Sequence, residues 1–311
     1  MNRRLMAVCA CIGAALGSGG AACAANCGTI AVSPSAPNFS SWNPLNPANQ
    51  QVPFVVTFAR ASASTKSVRL IFLDANSNAI PTRIGTTTGP RYQIVNTDSG
   101  AIVSFPSGTS VTSQTVAVTQ TSNGSANSFT INMSAVALAN SSPTEDFIGG
   151  AAYTETLNYA MQCFKANGQD NGVDSGVVSG LTLNLTIPKI LSIVTASPVA
   201  IDFANFTSTS QQARISVKST STLNVAVSTS YGSRLVRNGA VPPFPTNSII
   251  PYGMKFNGVA VAPSQPLVNQ ARAGVTGSSY PLQLTLTDGI PSGKLAGSYS
   301  DTITLTLTPG Q

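Results

Sequence analysis

Leu295-Ala296-Gly297-Ser298-Tyr299-Ser300-Asp301-Thr302-Ile303-Thr304-Leu305-Thr306-Leu307-Thr308 is the stretch on which the fold turns. From Thr302 onward, apolar and polar residues alternate strictly. A period of two places Ile303, Leu305 and Leu307 on one face of a strand and the threonines on the other. Threonine at the outward positions favours a strand over a helix, because its branched Cβ packs well on a pleated surface. The same alternation recurs upstream at 54–58, 67–72, 115–118, 128–133, 181–187 and 282–286. Gly, Pro, Asn and Ser clusters separate these runs, as in 43–53, 85–90 and 241–251. No long stretch carries a 3.6-residue apolar period. Many short strands with frequent turns predict an all-β protein of antiparallel sandwiches.

Composition narrows the function. The 311 residues suffice for about two domains. There is no histidine, which removes Ser–His–Asp and Cys–His nucleophile systems and His-bearing metal sites. Only ten residues are Asp or Glu, so carboxylate pairs are few. Hydrophobic residues make up 42%, which is not a disordered composition, and charged residues only 8%. Ser, Thr, Asn and Gly take the place of charge. That mixture suits an extracellular β-protein with a neutral polar surface. No catalytic, cofactor or metal site is expected, and the chain is read as a non-enzyme.

The N-terminus reads as an export signal over residues 1–24. Met1-Asn2-Arg3-Arg4 is a basic start, Leu5 to Leu16 an apolar run, and Ala22-Cys23-Ala24 fits a small-residue cleavage site. The run is shorter than the roughly 20 residues a spanning helix needs. Cleavage after Ala24 leaves Cys27 and Cys163, and an even pair in an exported protein predicts a disulfide. Loss of Arg3 and Arg4 lowers the net charge from +6 to +4. With no Lys/Arg cluster, no nucleic-acid partner is expected.

The chain also repeats itself. Phe39-Ser40-Ser41-Trp42 matches Phe203-Ala204-Asn205-Phe206, and Ala151-Ala152-Tyr153-Thr154-Glu155-Thr156-Leu157 matches Gly297-Ser298-Tyr299-Ser300-Asp301-Thr302-Ile303. Proline ends a strand at Ile187-Pro188-Lys189-Ile190. Two domains are therefore expected, 25–188 and 189–311.

The second half resembles the spore-coat-U type pilin domain of archaic chaperone–usher pili. The carrying residues are Phe203-Ala204-Asn205-Phe206, Arg214 to Lys218, Ile250 to Phe256 and, most specifically, the Gly-x-Tyr-x-Asp-Thr stretch from Gly297 to Thr302. The likeness covers about 120 residues well and reaches the first half only through the repeat. It departs from the family in having no cysteine pair in the second half and in Ala204, where the family prefers glycine. The resemblance implies two immunoglobulin-like sandwiches in tandem, the second lacking its last strand. In that family a neighbour's N-terminal extension fills the gap by strand addition. Only three residues follow Thr308, which leaves no room for a closing strand in the second half. Four or five uncovered inward side chains would cost roughly 6–15 kcal/mol, comparable with a whole domain's stability. Ile303, Leu305 and Leu307 are the expected acceptor edge.

In the first half, Leu181, Leu183, Leu185 and Ile187 alternate after a polar Gly/Asn/Asp loop. This segment reads as a closing strand supplied in cis, or else as the first strand of the second domain. Cys27 stands too close to the new N-terminus to leave a free donor arm. A subunit that accepts a strand and donates none belongs at the fibre tip.

Other constellations carry no chemistry. Gly289 to Lys294 lacks P-loop spacing. Asp170 to Gly176 has the wrong carboxylate order for a calcium loop. Glu145 and Asp146 read as loop residues. Val136, Leu138, Phe105, Ile80 and Trp42 lie near turn signals and are the candidate adhesive loop residues.

The expected protein is a tip adhesin that mediates surface attachment or biofilm formation, exported through the periplasm to the cell surface. The expected partners are a periplasmic pilus chaperone, an outer-membrane usher, an adjacent pilin supplying the donor strand, and an abiotic surface or host receptor. A non-tip pilin or coat component of the same family, and a free secreted carbohydrate-binding protein, are the rival readings. No cofactor is expected. Thiol titration of the oxidised periplasmic product should find no free cysteine; two titratable thiols would contradict the bridge.

Overall fold

The computed structural model of the chain describes residues 28–46, 48–61, 63–73, 83–85, 87–100, 102, 128–140, 145–167 and 170–311. Within them the protein is all-β, a tandem of two antiparallel sandwiches around two separate cores.

The first unit contributes β1 (Gly28–Ser33), β2 (Gln50–Arg60), β3 (Ser67–Leu73), β4 (Tyr92–Asn96), β5 (Ser128–Ala137), β6 (Ala152–Phe164) and β7 (Asp170–Thr186). One sheet runs β1-β2-β5-β4 and the other β3-β6-β7. Alternation in sequence becomes alternation in burial. Phe54, Val56 and Phe58 of β2 are buried while the residues between them are half-exposed. Phe54 meets Phe72 of the opposite sheet edge-on, with ring centroids 6.2 Å apart. Leu157, Leu181, Leu183, Leu185 and Ile187 complete this core from the second sheet.

One expectation is corrected here. The Gly/Asn/Asp-rich segment before Leu181 is strand rather than loop. β7 begins at Asp170 and pairs with β6 from Phe164↔Asp170 back to Ala152↔Thr186, with register shifts at Thr156/Asn158 and at Cys163/Phe164. The long partner strand supplies the ladder that local propensity disfavours. The 115–118 run lies outside the described residues.

The second unit contributes β8 (Leu191–Ile193), β9 (Ser210–Ser219), β10 (Leu223–Thr229), β11 (Arg234–Arg237), β12 (Ile249–Phe256), β13 (Val259–Val261), β14 (Leu267–Gln270), β15 (Gly274–Leu286), β16 (Tyr299–Ser300) and β17 (Ile303–Pro309). One sheet runs β16-β11-β12-β15-β9-β8, with β13 on β12, and the other β14-β10-β17. The order β8-β9-β15-β12 reproduces β1-β2-β5-β4 of the first unit, and β10-β17 reproduces β3-β6. The weak sequence repeat is therefore a repeat of architecture.

The two units meet at residues 145–150. Glu145 faces its own unit, 2.5 Å from Arg83 and 3.2 Å from Arg91. Asp146 faces the other. Its carboxylate accepts two bonds from the Arg272 guanidinium, at 2.7 and 2.5 Å, and one from the Val275 amide at 3.1 Å. Gly149 donates its amide to the Thr220 carbonyl at 2.7 Å. A Cβ at Gly149 would lie 2.9 Å from Lys189 Cγ and 3.0 Å from Thr220 Oγ1, so this approach requires glycine. Val275 packs into the first unit's core.

Both carboxyls are held below their ordinary range, Glu145 chiefly by its hydrogen bond from Arg83 and Asp146 chiefly by that from Arg272, against an opposing effect of burial. A carboxyl with a lowered folded-state pKa stabilises the fold above its unfolded value, about 4, and loses that contribution as pH falls through the lowered value. Asp146→Asn should weaken the junction by on the order of 1 kcal/mol, a figure limited by solvent screening of the half-exposed pair. The protection factor of the Val275 amide against hydrogen exchange should fall in this variant, and in the wild type as pH falls below about 4 and through the lowered Asp146 value. Unchanged protection in both would exclude an electrostatic junction.

Candidate functional site

β17 pairs along one edge with β10, from Leu223↔Pro309 to Thr229↔Ile303. Among the described residues no strand pairs with its other edge. Across from it runs the segment that leaves β8, from Ile193 to Phe206, and between the two lies a groove of about 780 Å³. Ala213 and Ile215 of β9 and Leu282 and Leu284 of β15 form its floor. Ile303 and Leu305 form one wall, and Ile201 and Phe203 the other. Ile303 and Leu305 are half-buried, whereas Leu307 is buried in the core beneath. Of the three residues expected at the edge, two face the groove and the third anchors the strand.

The residues that precede β17 shape the end of this groove. Gly297 has φ +145°, and a Cβ there would lie 2.9 Å from Arg237 Nε, which donates to the Ala296 carbonyl at 2.8 Å. Tyr299 donates its hydroxyl to the Leu295 carbonyl at 2.7 Å and sets its ring edge-on to Phe206 at 6.1 Å. Phe206 in turn stacks on Phe203 at 6.2 Å. Ala204, Asn205 and Phe206 all have left-handed backbones, with φ 43°, 60° and 59°. Such conformations cost non-glycine residues about 1–2 kcal/mol each. Hydrogen bonds from the Ala204 amide to Asp202 and from the Phe206 amide to Phe203 hold the turn. A positive φ at Ala204 is the physical reason a glycine would suit that position.

Asp301 ties three elements together. Its carboxylate accepts from the Tyr252 hydroxyl at 2.7 Å, the Tyr231 amide at 3.2 Å and the Thr302 amide at 2.7 Å. Burial, and secondarily the bond to Asp301, push the Tyr252 phenol far above its usual range, so it stays a neutral donor.

The first unit shows what occupies the corresponding space there. The end of β7, with Ile187 just beyond it, lies between β6 and the segment 35–39 that leaves β1. Thr182 donates to the Ser35 carbonyl at 3.0 Å, Asn184 to Pro37 at 3.0 Å, and Phe39 to Asn184 at 2.9 Å. Leu181, Leu183, Leu185 and Ile187 are all at most 1% exposed. The repeat aligns the landmarks. Trp42 donates to the Phe39 carbonyl, as Phe206 does to Phe203. Among the described residues the second unit thus has the two flanking walls of the first without a strand between them.

The candidate adhesive residues need correction. Trp42 is 1% exposed, with Nε1 donating to the Leu138 carbonyl at 3.0 Å and its ring edge-on to Phe147. Val136 is 1% exposed, on a strand paired on both edges, to Gln51 of β2 and Gln93 of β4. Neither can form a surface patch. Leu138 is half-buried. Phe105, Ile80, Cys27 and the Cys163 side chain lie outside the described residues. Among the described residues no cluster of three His, Cys, Asp or Glu could hold a metal ion. Lys294, in the P-loop-like stretch, donates to the Thr246 carbonyl.

Sequence reading found β17 but missed the opposite wall, whose alternation at Val199, Ile201 and Phe203 is short and follows Pro198. It also missed the junction role of Asp146. Two signals could have located the wall: the repeat, through the position of 35–39, and the alternation at Val199, Ile201 and Phe203.

Neither a family model nor a curated protein matches the chain. Among solved structures it is similar to the tip subunit CsuE, crystallised with its chaperone CsuC, from archaic chaperone–usher Csu pili of Acinetobacter baumannii. Identity is 14%, the match covers 90% of this chain and 99% of that one, and the TM-score is 0.44. It is also similar to the CupB6 tip adhesin of Pseudomonas aeruginosa, at 11% identity over 90% and 95% of the two chains, with a TM-score of 0.37.

Replacing Asp301 strands the buried Tyr252 hydroxyl and the Tyr231 amide. Asp301→Ala should therefore destabilise the second unit by about 1–3 kcal/mol in urea unfolding. The double variant with Tyr252→Phe should recover part of that loss, and no recovery would separate the two residues.

Proposed function

We propose that this chain is an adhesive fibre subunit of the chaperone–usher type, placed at the tip, whose second unit accepts a strand from the next subunit in the groove beside β17. The observation that carries this reading is internal to the molecule. In the first unit a strand with four inward apolar side chains, Leu181 to Ile187, occupies the space that the second unit leaves as an open groove. On this reading 181–187 closes the first sandwich in cis, with 25–188 and 189–311 as the two domains. The free edge of β17 offers unpaired backbone donors and acceptors, and the groove floor offers apolar surface. Those are the two ingredients of recognition by strand addition.

The tip position has a separate support. Every residue of β1 from Gly28 to Ser33 is paired to β2, so the first described strand is committed to its own sheet. With the second unit engaged by the fibre, the first unit is the one turned outward to a surface or receptor. A periplasmic chaperone and an outer-membrane usher would shield and deliver the open edge, as a route to the cell surface requires.

Periplasmic expression of 25–188 and 189–311 as separate chains tests this. The first should be soluble and monomeric. The second should aggregate alone and become soluble when a chaperone, or a peptide with apolar residues at alternate positions, is supplied. A stable, monomeric 189–311 without either would overturn the reading.

A further inference from the structure

If a strand enters the groove, the protein that carries it must stand at one end of β17. The two ends differ. Pro309 pairs with Leu223, close to Thr220, whose carbonyl receives the Gly149 amide of the first unit. That end is covered by the first unit, through Asp146 and Arg272. Ile303 pairs with Thr229, at the opposite pole. Three loops gather there, at 230–233, 238–248 and 287–298. The second and third are tied by bonds from the Leu295 amide to the Asn247 carbonyl and from the Asn238 amide to the Ser298 carbonyl, and the first meets the second where the Tyr231 ring packs on Phe244.

This pole is apolar where a loop surface is ordinarily polar. Val241 is 75% exposed, Ile290 62%, Leu295 43% and Tyr231 41%. Tyr231 is braced edge-on against Phe244 at 5.6 Å. Large apolar side chains grouped in exposed loops mark an interaction surface.

We infer that the pole formed by Tyr231, Val241, Ile290 and Leu295 is a second docking surface, and that its occupant is the folded body of the protein whose strand fills the groove. This rests on the strand-acceptor reading above. The patch adjoins the groove through Asp301, which lines the groove while binding the Tyr231 amide. It sits at the end of β17 that the first unit leaves free. A strand rooted there as an N-terminal extension would run antiparallel to β17, as all ladders in this unit do. The contact adds area outside the groove, so it distinguishes a whole subunit from a bare strand.

The test places a photo-crosslinking phenylalanine, one position at a time, in the full chain within cells that build the fibre. The positions are Thr304 in the groove, Tyr231 and Val241 at the pole, and Val268, which is 62% exposed but lies near the first unit. Peptide mapping of the adducts is the readout. Thr304 should capture the terminal extension of a partner. Tyr231 and Val241 should capture the same protein within its folded body, with yields severalfold above Val268. Capture at Thr304 with none at Tyr231 or Val241, or with equal yield at Val268, overturns the docking surface and leaves the groove reading standing. Capture at the pole of lipid or of a different protein overturns it as well. No capture at Thr304 overturns the groove reading and this inference with it.

Discussion

The outer edge of β17 is the constraint on which the rest of the molecule depends. A strand edge exposes a row of backbone donors and acceptors, and the side chains beneath it lose cover on the same side. Soluble sandwiches end such edges with short strands, charges or a covering segment. Here the edge carries alternating Ile303, Leu305 and Leu307 between threonines, with no charged side chain along the strand. Beneath it lie Ala213, Ile215, Leu282 and Leu284. On the proposed reading, edge and floor together receive an extended chain.

The first unit meets the same constraint in the opposite way. Its β6 has the sequence landmarks of the segment leading into β17, yet its outer edge is covered by β7 and then by 35–39. Four leucine and isoleucine side chains fill the space between the sheets there. At about 1.5–3 kcal/mol each, their burial is worth roughly 6–12 kcal/mol, which is the order of a small domain's net stability. One chain therefore carries a closed copy and an open copy of one architecture. Beside the short added strands β13, β14 and β16 of the second unit, the difference at this edge is the strand that 181–187 supplies in the first.

Much of this was legible because strand alternation is a local signal. Thr302 to Thr308 and Leu181 to Ile187 report their inward faces directly, since every second residue answers to the same core. The opposite wall of the groove was not legible. Val199, Ile201 and Phe203 alternate, but the run is short, follows Pro198 and forms no strand, so its role appears only where it lies across from β17. Trp42 misled for a related reason. A Pro/Ser/Asn-rich neighbourhood reads as exposed loop, but a tight turn from Phe39 folds the indole under Leu138 and Phe147. The Gly- and Asp-rich start of β7 was likewise read as loop, because its ladder is supplied by β6, far from any local preference. Glu145 and Asp146 looked like an idle acidic pair. Their opposite facing, one toward Arg83 and one toward Arg272, is a property of the junction and not of the dipeptide.

The junction gives the open edge its direction. Asp146, Arg272, Gly149 and Thr220 fix the first unit against the end of the second where β17 finishes. Pull on a strand seated beside β17 is carried by its ladder to that edge. From there it passes through β10 and the Ser219–Ser221 turn to the contact with the first unit. Both ends of this path are short-range and geometric: a backbone ladder at one, and a bidentate ion pair with a glycine-tight approach at the other. A flexible linker would pass the same load while letting the first unit swing. Here the packing of Val275 into the first unit's core adds an apolar contact to the ion pair and the glycine approach. On the proposed reading, that arrangement presents the closed unit in a fixed orientation at the end of a fibre whose last strand enters from the opposite pole.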